Sequence, residues 1–184
     1  MINAGLADQQ NRLTDERWPI SPATILKFFV LFAVLAFILR IFYARHLFED
    51  DGLWFTAAEE IVGGKALYRE IYFDKPPGLA LVYAFLFGGF GAHIITVRLF
   101  TIAYSIAISA VLYLFGSRLY DKRIGVLAAG LFTVFSTTYT TGHVQGLGTD
   151  FLMALPYTAA AFFFTLATRD SAKPSWHAMI GGIL

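Results

Sequence analysis

Residues Ala23–Ala44 read ATILKFFVLFAVLAFILRIFYA, a run without a single acid and with charge only at Lys27 and Arg40. An α-helix needs about 20 mostly apolar residues to cross the hydrocarbon core of a bilayer. Inside lipid each backbone amide must find its partner within its own helix or barrel, so such a run admits almost no other fold. Lys27 and Arg40 stand near its ends, where long cationic side chains snorkel to the headgroups. The run is too long for a signal peptide, and a polar tail precedes it. Three more runs follow, Ile94–Gly116, Ile124–Thr140 and Phe151–Thr168, and a further apolar stretch opens near Trp176 and runs to Leu184. The expected fold class is an all-α polytopic membrane protein, with 1–22 as a cytoplasmic polar tail and 23–184 as a transmembrane domain.

Composition agrees. With 57% hydrophobic and 15% charged residues, the chain has too few polar side chains to cover a water-soluble surface. A net charge of +1 provides no field for nucleic acid. The absence of cysteine excludes disulfides, thiolate metal sites and thiol nucleophiles.

Gly78–Gly91 is the ambiguous segment, since its apolar part is short for a crossing and suits a re-entrant or interfacial helix. Short basic loops stay cytoplasmic. The basic groups Arg12 and Arg17, then Arg118, Lys122 and Arg123, then Arg169 and Lys173 share one side only if Gly78–Gly91 does not cross. That topology puts a loop of residues 45–93 outside; a full crossing is the alternative. The loop holds seven of the thirteen acids. Within it Leu53, Trp54, Ala57, Ala58 and Ile61 recur at helical spacing, as in an amphipathic helix lying on the membrane. Asp50 or Asp51 is placed to cap that helix, and Gly63-Gly64 to end it.

Three features on the presumed outer face carry chemistry. Glu49-Asp50-Asp51 follows the first span directly. Such acids serve as a general base or a metal ligand, or simply as a helix cap and a solvated charge run. Tyr72-Phe73-Asp74-Lys75-Pro76-Pro77 sets a lysine on a stiff backbone at headgroup depth, suited to a phosphate or to plain interfacial anchoring. Asp150 opens the fourth run, as a cap or as an acid at the mouth of a helix bundle. Arg98 lies inside the second run, where it snorkels or meets a phosphate or one of these acids. The histidines show no zinc-ligand spacing.

In this order, on this topology, these features resemble the amino-terminal part of the GT-C glycosyltransferases of family 39 type, which include aminoarabinose-lipid A transferases and protein O-mannosyltransferases. The resemblance rests on Asp50-Asp51-Gly-Leu-Trp-Phe-Thr-Ala-Ala-Glu-Glu, on Tyr72-Phe73-Asp74-Lys75-Pro76-Pro77, on Val97-Arg98-Leu99 and on Thr149-Asp150, and spans roughly residues 25–170. It implies a GT-C-type transmembrane bundle and transfer of a sugar from a polyprenyl-phosphate donor to an extracytoplasmic lipid, glycan or protein. By that resemblance Asp50 is the catalytic loop acid, Asp51 its neighbour and Asp150 the second acid of the site. Lys75 is the residue near the donor phosphate, Asp74 the acid beside it, and Arg98 the arginine opening the next span. The implied partners are the donor and membrane lipids, in a bacterial inner membrane, with the amino terminus cytoplasmic and the site outside. No cofactor is assigned: the clustered acids leave a divalent metal open, and some relatives need none. No feature sets the oligomeric state.

The chain ends within an apolar run, at Gly181-Gly182-Ile183-Leu184, so the expectation is the front portion of a longer transferase. The rival reading is a non-catalytic membrane fragment, or a protein that binds polyprenyl lipid or scaffolds a partner. A small transporter fits less well, because the acids sit in loops rather than at mid-membrane.

Overall fold

The computed structural model describes residues 21–41, 51–138 and 147–169. They form six helices: α1 (Pro22–Ile41), α2 (Asp51–Val62), α3 (Pro77–Phe90), α4 (Ile94–Leu119), α5 (Lys122–Thr138) and α6 (Thr149–Arg169). No strand occurs among the described residues, beyond an isolated bridge between Leu67 and Ile71. The all-α expectation therefore holds. Three helices are long and apolar enough to cross a membrane, namely α1, α4 and the Thr149–Thr168 part of α6. At 17 residues α5 is about 26 Å long, slightly under the hydrocarbon thickness. The apolar stretch expected from about Trp176 lies outside the described residues.

The short elements follow from local sequence. Pro76 and Pro77 cannot sit in a helix interior, and α3 begins with Pro77 in its first turn. It ends at Gly91, whose φ of 87° suits a residue without Cβ. Its 14 residues span about 21 Å, too short for a straight crossing. Gly63-Gly64 ends α2 as expected. The Gly63 and Lys65 amides bond back to the Glu59 and Glu60 carbonyls, and Gly64 takes a φ of 90°.

α2 is amphipathic, but its apolar face meets protein. Trp54, Ala57 and Ala58 are buried, and they pack in one cluster with Leu79, Ala80, Tyr83 and Phe87 of α3. Leu53 points away and is exposed. The periodicity identified the face; the apolar α3, a better partner than headgroups, covers it.

α4 and α5 form a hairpin whose backbones touch. A Cβ on Gly116 would lie 2.9 Å from the Gly125 Cα, and one on Gly125 would lie 2.5 Å from the Tyr113 carbonyl oxygen. Small residues at such crossings let helices approach closely within a bilayer. Asp121 starts α5 by accepting the Arg123 and Ile124 amides at 2.8 and 2.9 Å. Further along, Ser109 and Thr133 hydroxyls meet at 3.1 Å. Gly125→Val should wedge the hairpin open and destabilise by about 1–3 kcal/mol, a typical overpacking cost. A lowered melting temperature of the detergent-solubilised protein would register it; an unchanged one would show the contact to be yielding.

α1 corrects one expectation. Lys27 is exposed, as snorkelling requires, but Arg40 is buried. Ala36 and Arg40, one turn apart, are the buried residues of α1, so this stripe faces the bundle. There Arg40 Nη2 donates to Ser136 Oγ of α5 at 3.4 Å, and its guanidinium carbon lies 5.6 Å from the centroid of the Phe151 ring.

Candidate active site

One end of the bundle gathers the start of α2, the middle of α3, the start of α4 and the start of α6. Arg98, in the second turn of α4, reaches Asp51, the first residue of α2, with Nη2 2.5 Å from Oδ2. Their side chains are only 3% and 6% exposed, so both charges have left water and each requires the other. Tyr83 of α3, fully buried, lies against the other carboxylate oxygen, its hydroxyl 3.1 Å from Asp51 Oδ1. The same hydroxyl lies 3.4 Å from the Leu147 carbonyl oxygen, in the turn that leads into α6. Burial, reinforced by the Asp51 carboxylate, raises the Tyr83 phenol well above its usual range. It therefore stays protonated and donates.

The Lys75 segment is held by aromatic rings. Phe73 is buried edge-on against Trp54 of α2, with centroids 5.3 Å apart. Tyr68 packs on Phe73 and donates its hydroxyl to the Lys75 carbonyl oxygen at 2.6 Å. Tyr68 adopts φ 68°, a left-handed conformation that a bulky residue takes only under constraint. With the backbone pinned from both sides, Asp74 and Lys75 project outward and are exposed. Among the described residues the Lys75 ammonium has no ion pair, so it is available to an anion.

Asp150 lies in the first turn of α6 and is exposed. The next residue, Phe151, is buried against the Tyr104 ring, and Tyr104 donates to the Leu152 carbonyl oxygen at 2.5 Å. These contacts anchor the start of α6 to α4.

Of the residues singled out in the sequence, Asp51 and Arg98 are brought into direct contact. Asp74, Lys75 and Asp150 present solvent-facing side chains, and Asp50 lies outside the described residues. No group of three or more His, Asp or Glu side chains could hold a metal among the described residues. Tyr83 and Arg40 are the members that sequence reasoning missed. A tyrosine in an otherwise apolar helix reads as core, and an arginine at the end of a span reads as an anchor. In each case the only signal was a polar group within a run that needs none.

Comparison with known proteins adds one finding. No curated protein and no solved structure matches the chain. The profile of the dolichyl-phosphate-mannose-protein mannosyltransferase family matches residues 74–184, more than half of the sequence. The match begins at Asp74, so it takes in Lys75, Tyr83, Arg98 and Asp150. With three helices able to cross a bilayer, this is an integral membrane protein of all-α, GT-C type. The chain belongs to the dolichyl-phosphate-mannose-protein mannosyltransferase family.

Proposed function

We propose that this protein transfers a sugar from a polyprenyl-phosphate-linked donor to a hydroxyl-bearing acceptor on the outer side of a bacterial inner membrane. The observation that carries the reading is the family match, which starts on the Asp74-Lys75-Pro76-Pro77 motif. The exposed ammonium of Lys75, on a backbone clamped by Tyr68 and Phe73, supports the same reading.

In this scheme the acceptor oxygen attacks the anomeric carbon as the bond from sugar to phosphate oxygen breaks, with inversion. Asp50 takes the acceptor proton, and Lys75 stabilises the charge left on the polyprenyl phosphate. A fixed cation serves this purpose because it meets charge that grows in the transition state. Asp51, bound to Arg98 and Tyr83, positions the start of α2. Asp150 supplies the second acid, at the acceptor, Asp74 stands beside Lys75 on the donor side, and Arg98 acts through its pairing with Asp51. A donor whose tail stays in the bilayer suits a site at the membrane surface.

The test is transfer by the full chain in membranes, supplied with polyprenyl phosphates carrying labelled sugars and with lipid, glycan and peptide acceptors. Labelled product from at least one pair, absent with Asp150→Asn, is the expected result. Tight binding of the polyprenyl phosphate with no transfer from any donor would overturn the enzyme reading in favour of a lipid-binding protein.

A further inference from the structure

We propose that Arg40 is a binding residue for a lipid phosphate. Arg40 is 3% exposed, on the last turn of α1. It touches one hydroxyl, Ser136 Oγ at 3.4 Å, and one ring face, that of Phe151. Nε and Nη1 are buried with no hydrogen-bond partner. Among the described residues no carboxylate pairs with it.

Arg98 provides the contrast. Both arginines are equally buried at the same end of the bundle, but Arg98 is matched by Asp51 whereas Arg40 meets no anion among the described residues. A buried cation is tolerated when an anion and hydrogen bonds compensate it. A hydroxyl at long range and an aromatic face compensate only in part. A methionine in this place would satisfy the packing without the charge. The arrangement thus provides for an anion that arrives from outside the chain.

Phosphate is the anion that fits. Arg40 ends a candidate span, the level at which lipid phosphates lie. The planar guanidinium presents several donors to phosphate oxygens and keeps its charge at any physiological pH. Its contact Phe151 directly follows Asp150, which ties the position to the candidate active site. Because Nε and Nη1 are covered, the phosphate enters as the ends of α1, α5 and α6 part locally. Two lipids offer this chemistry, the polyprenyl-phosphate donor and bulk anionic phospholipid. Assignment to the donor rests on the function proposed above; assignment to a lipid phosphate does not.

The test uses the full chain in dodecyl maltoside micelles, which carry no phosphate, with undecaprenyl phosphate or phosphatidylglycerol added as the probe. Thermal unfolding and the dissociation constant are read for wild type, Arg40→Met and Arg40→Lys. Undecaprenyl phosphate should raise the wild-type Tm. Arg40→Met should be at least as stable as wild type without the probe, since an uncompensated charge is gone. It should bind the probe about 10- to 100-fold more weakly, the loss of one charge-assisted contact. Arg40→Lys, which keeps the charge without the fork, should fall between. The same pattern with phosphatidylglycerol in place of undecaprenyl phosphate supports the phosphate site and counts against the donor reading. Arg40→Met that is less stable without probe, or binds as tightly as wild type, overturns the proposal; so does a wild-type Tm that neither lipid shifts. Transfer failing while Arg40-dependent binding persists overturns the proposed activity alone.

Discussion

Lys75→Ala is expected to lower transfer by about 10²–10³-fold, the range for removing one preorganised group that stabilises developing charge. The ammonium makes no ion pair among the described residues, so its loss removes a ligand contact and not a structural one. Its segment is held through the Phe73 ring and the Lys75 carbonyl, both of which the variant retains. Expression and melting temperature should therefore stay at wild-type values. Lys75→Arg should recover part of the rate, since charge returns with different reach. Asp50→Asn provides the contrast. It should reduce kcat, with KM for the donor little changed, because a general base acts on the acceptor proton. Steady-state kinetics with a labelled donor separates the two. Wild-type transfer by Lys75→Ala would remove that residue from the mechanism, and with it the main support for a phosphate at the motif.

The second large effect concerns stability. Removing one partner of the Asp51–Arg98 pair, as in Asp51→Leu or Arg98→Met, should cost about 3–5 kcal/mol, because the other charge is left buried and uncompensated. The double replacement, Asp51→Leu with Arg98→Met, should recover most of that loss, since apolar side chains can fill the same space. Activity should not follow stability back. The double variant no longer positions the start of α2, so transfer should remain low at a restored melting temperature. Denaturation in detergent alongside transfer assays tests both parts. Single variants with wild-type stability would show that the pair is not what joins α2 to α4. Transfer recovered along with stability would show that the Asp51 carboxylate is not needed to position α2.

Much of this architecture was legible in the residues. Apolar runs about as long as a bilayer is thick located the three helices able to cross one, and Pro76-Pro77 and Gly63-Gly64 marked helix ends because their backbones allow little else. The contacts between helices were less so. In a span almost every residue is apolar, so periodicity carries little contrast and does not say which face meets protein. Arg40 and Lys27 look alike in sequence, yet one faces Ser136 and Phe151 and the other faces outward. In the sequence Arg98 stands out as a charge inside an apolar run and Asp51 as one of three adjacent acids, and their pairing is one of several open choices. It is set by how α2 folds back along α3, across 47 residues of separation. Tyr83 gave the least warning, because its role depends on two groups from distant segments, Asp51 and the Leu147 carbonyl.

The hairpin of α4 and α5 bears on how the chain is made. Only Tyr120 and Asp121 separate the two helices, and Gly116 meets Gly125 just beyond that turn. A helix emerging from the insertion machinery thus finds its partner within a few residues of synthesis. The Ser109 and Thr133 hydroxyls, each also bonded to a carbonyl of its own helix, add a polar contact between the two helices. For biogenesis, then, the pair is one cargo, and a glycine lost at the crossing would be felt at insertion before it was felt in the finished bundle.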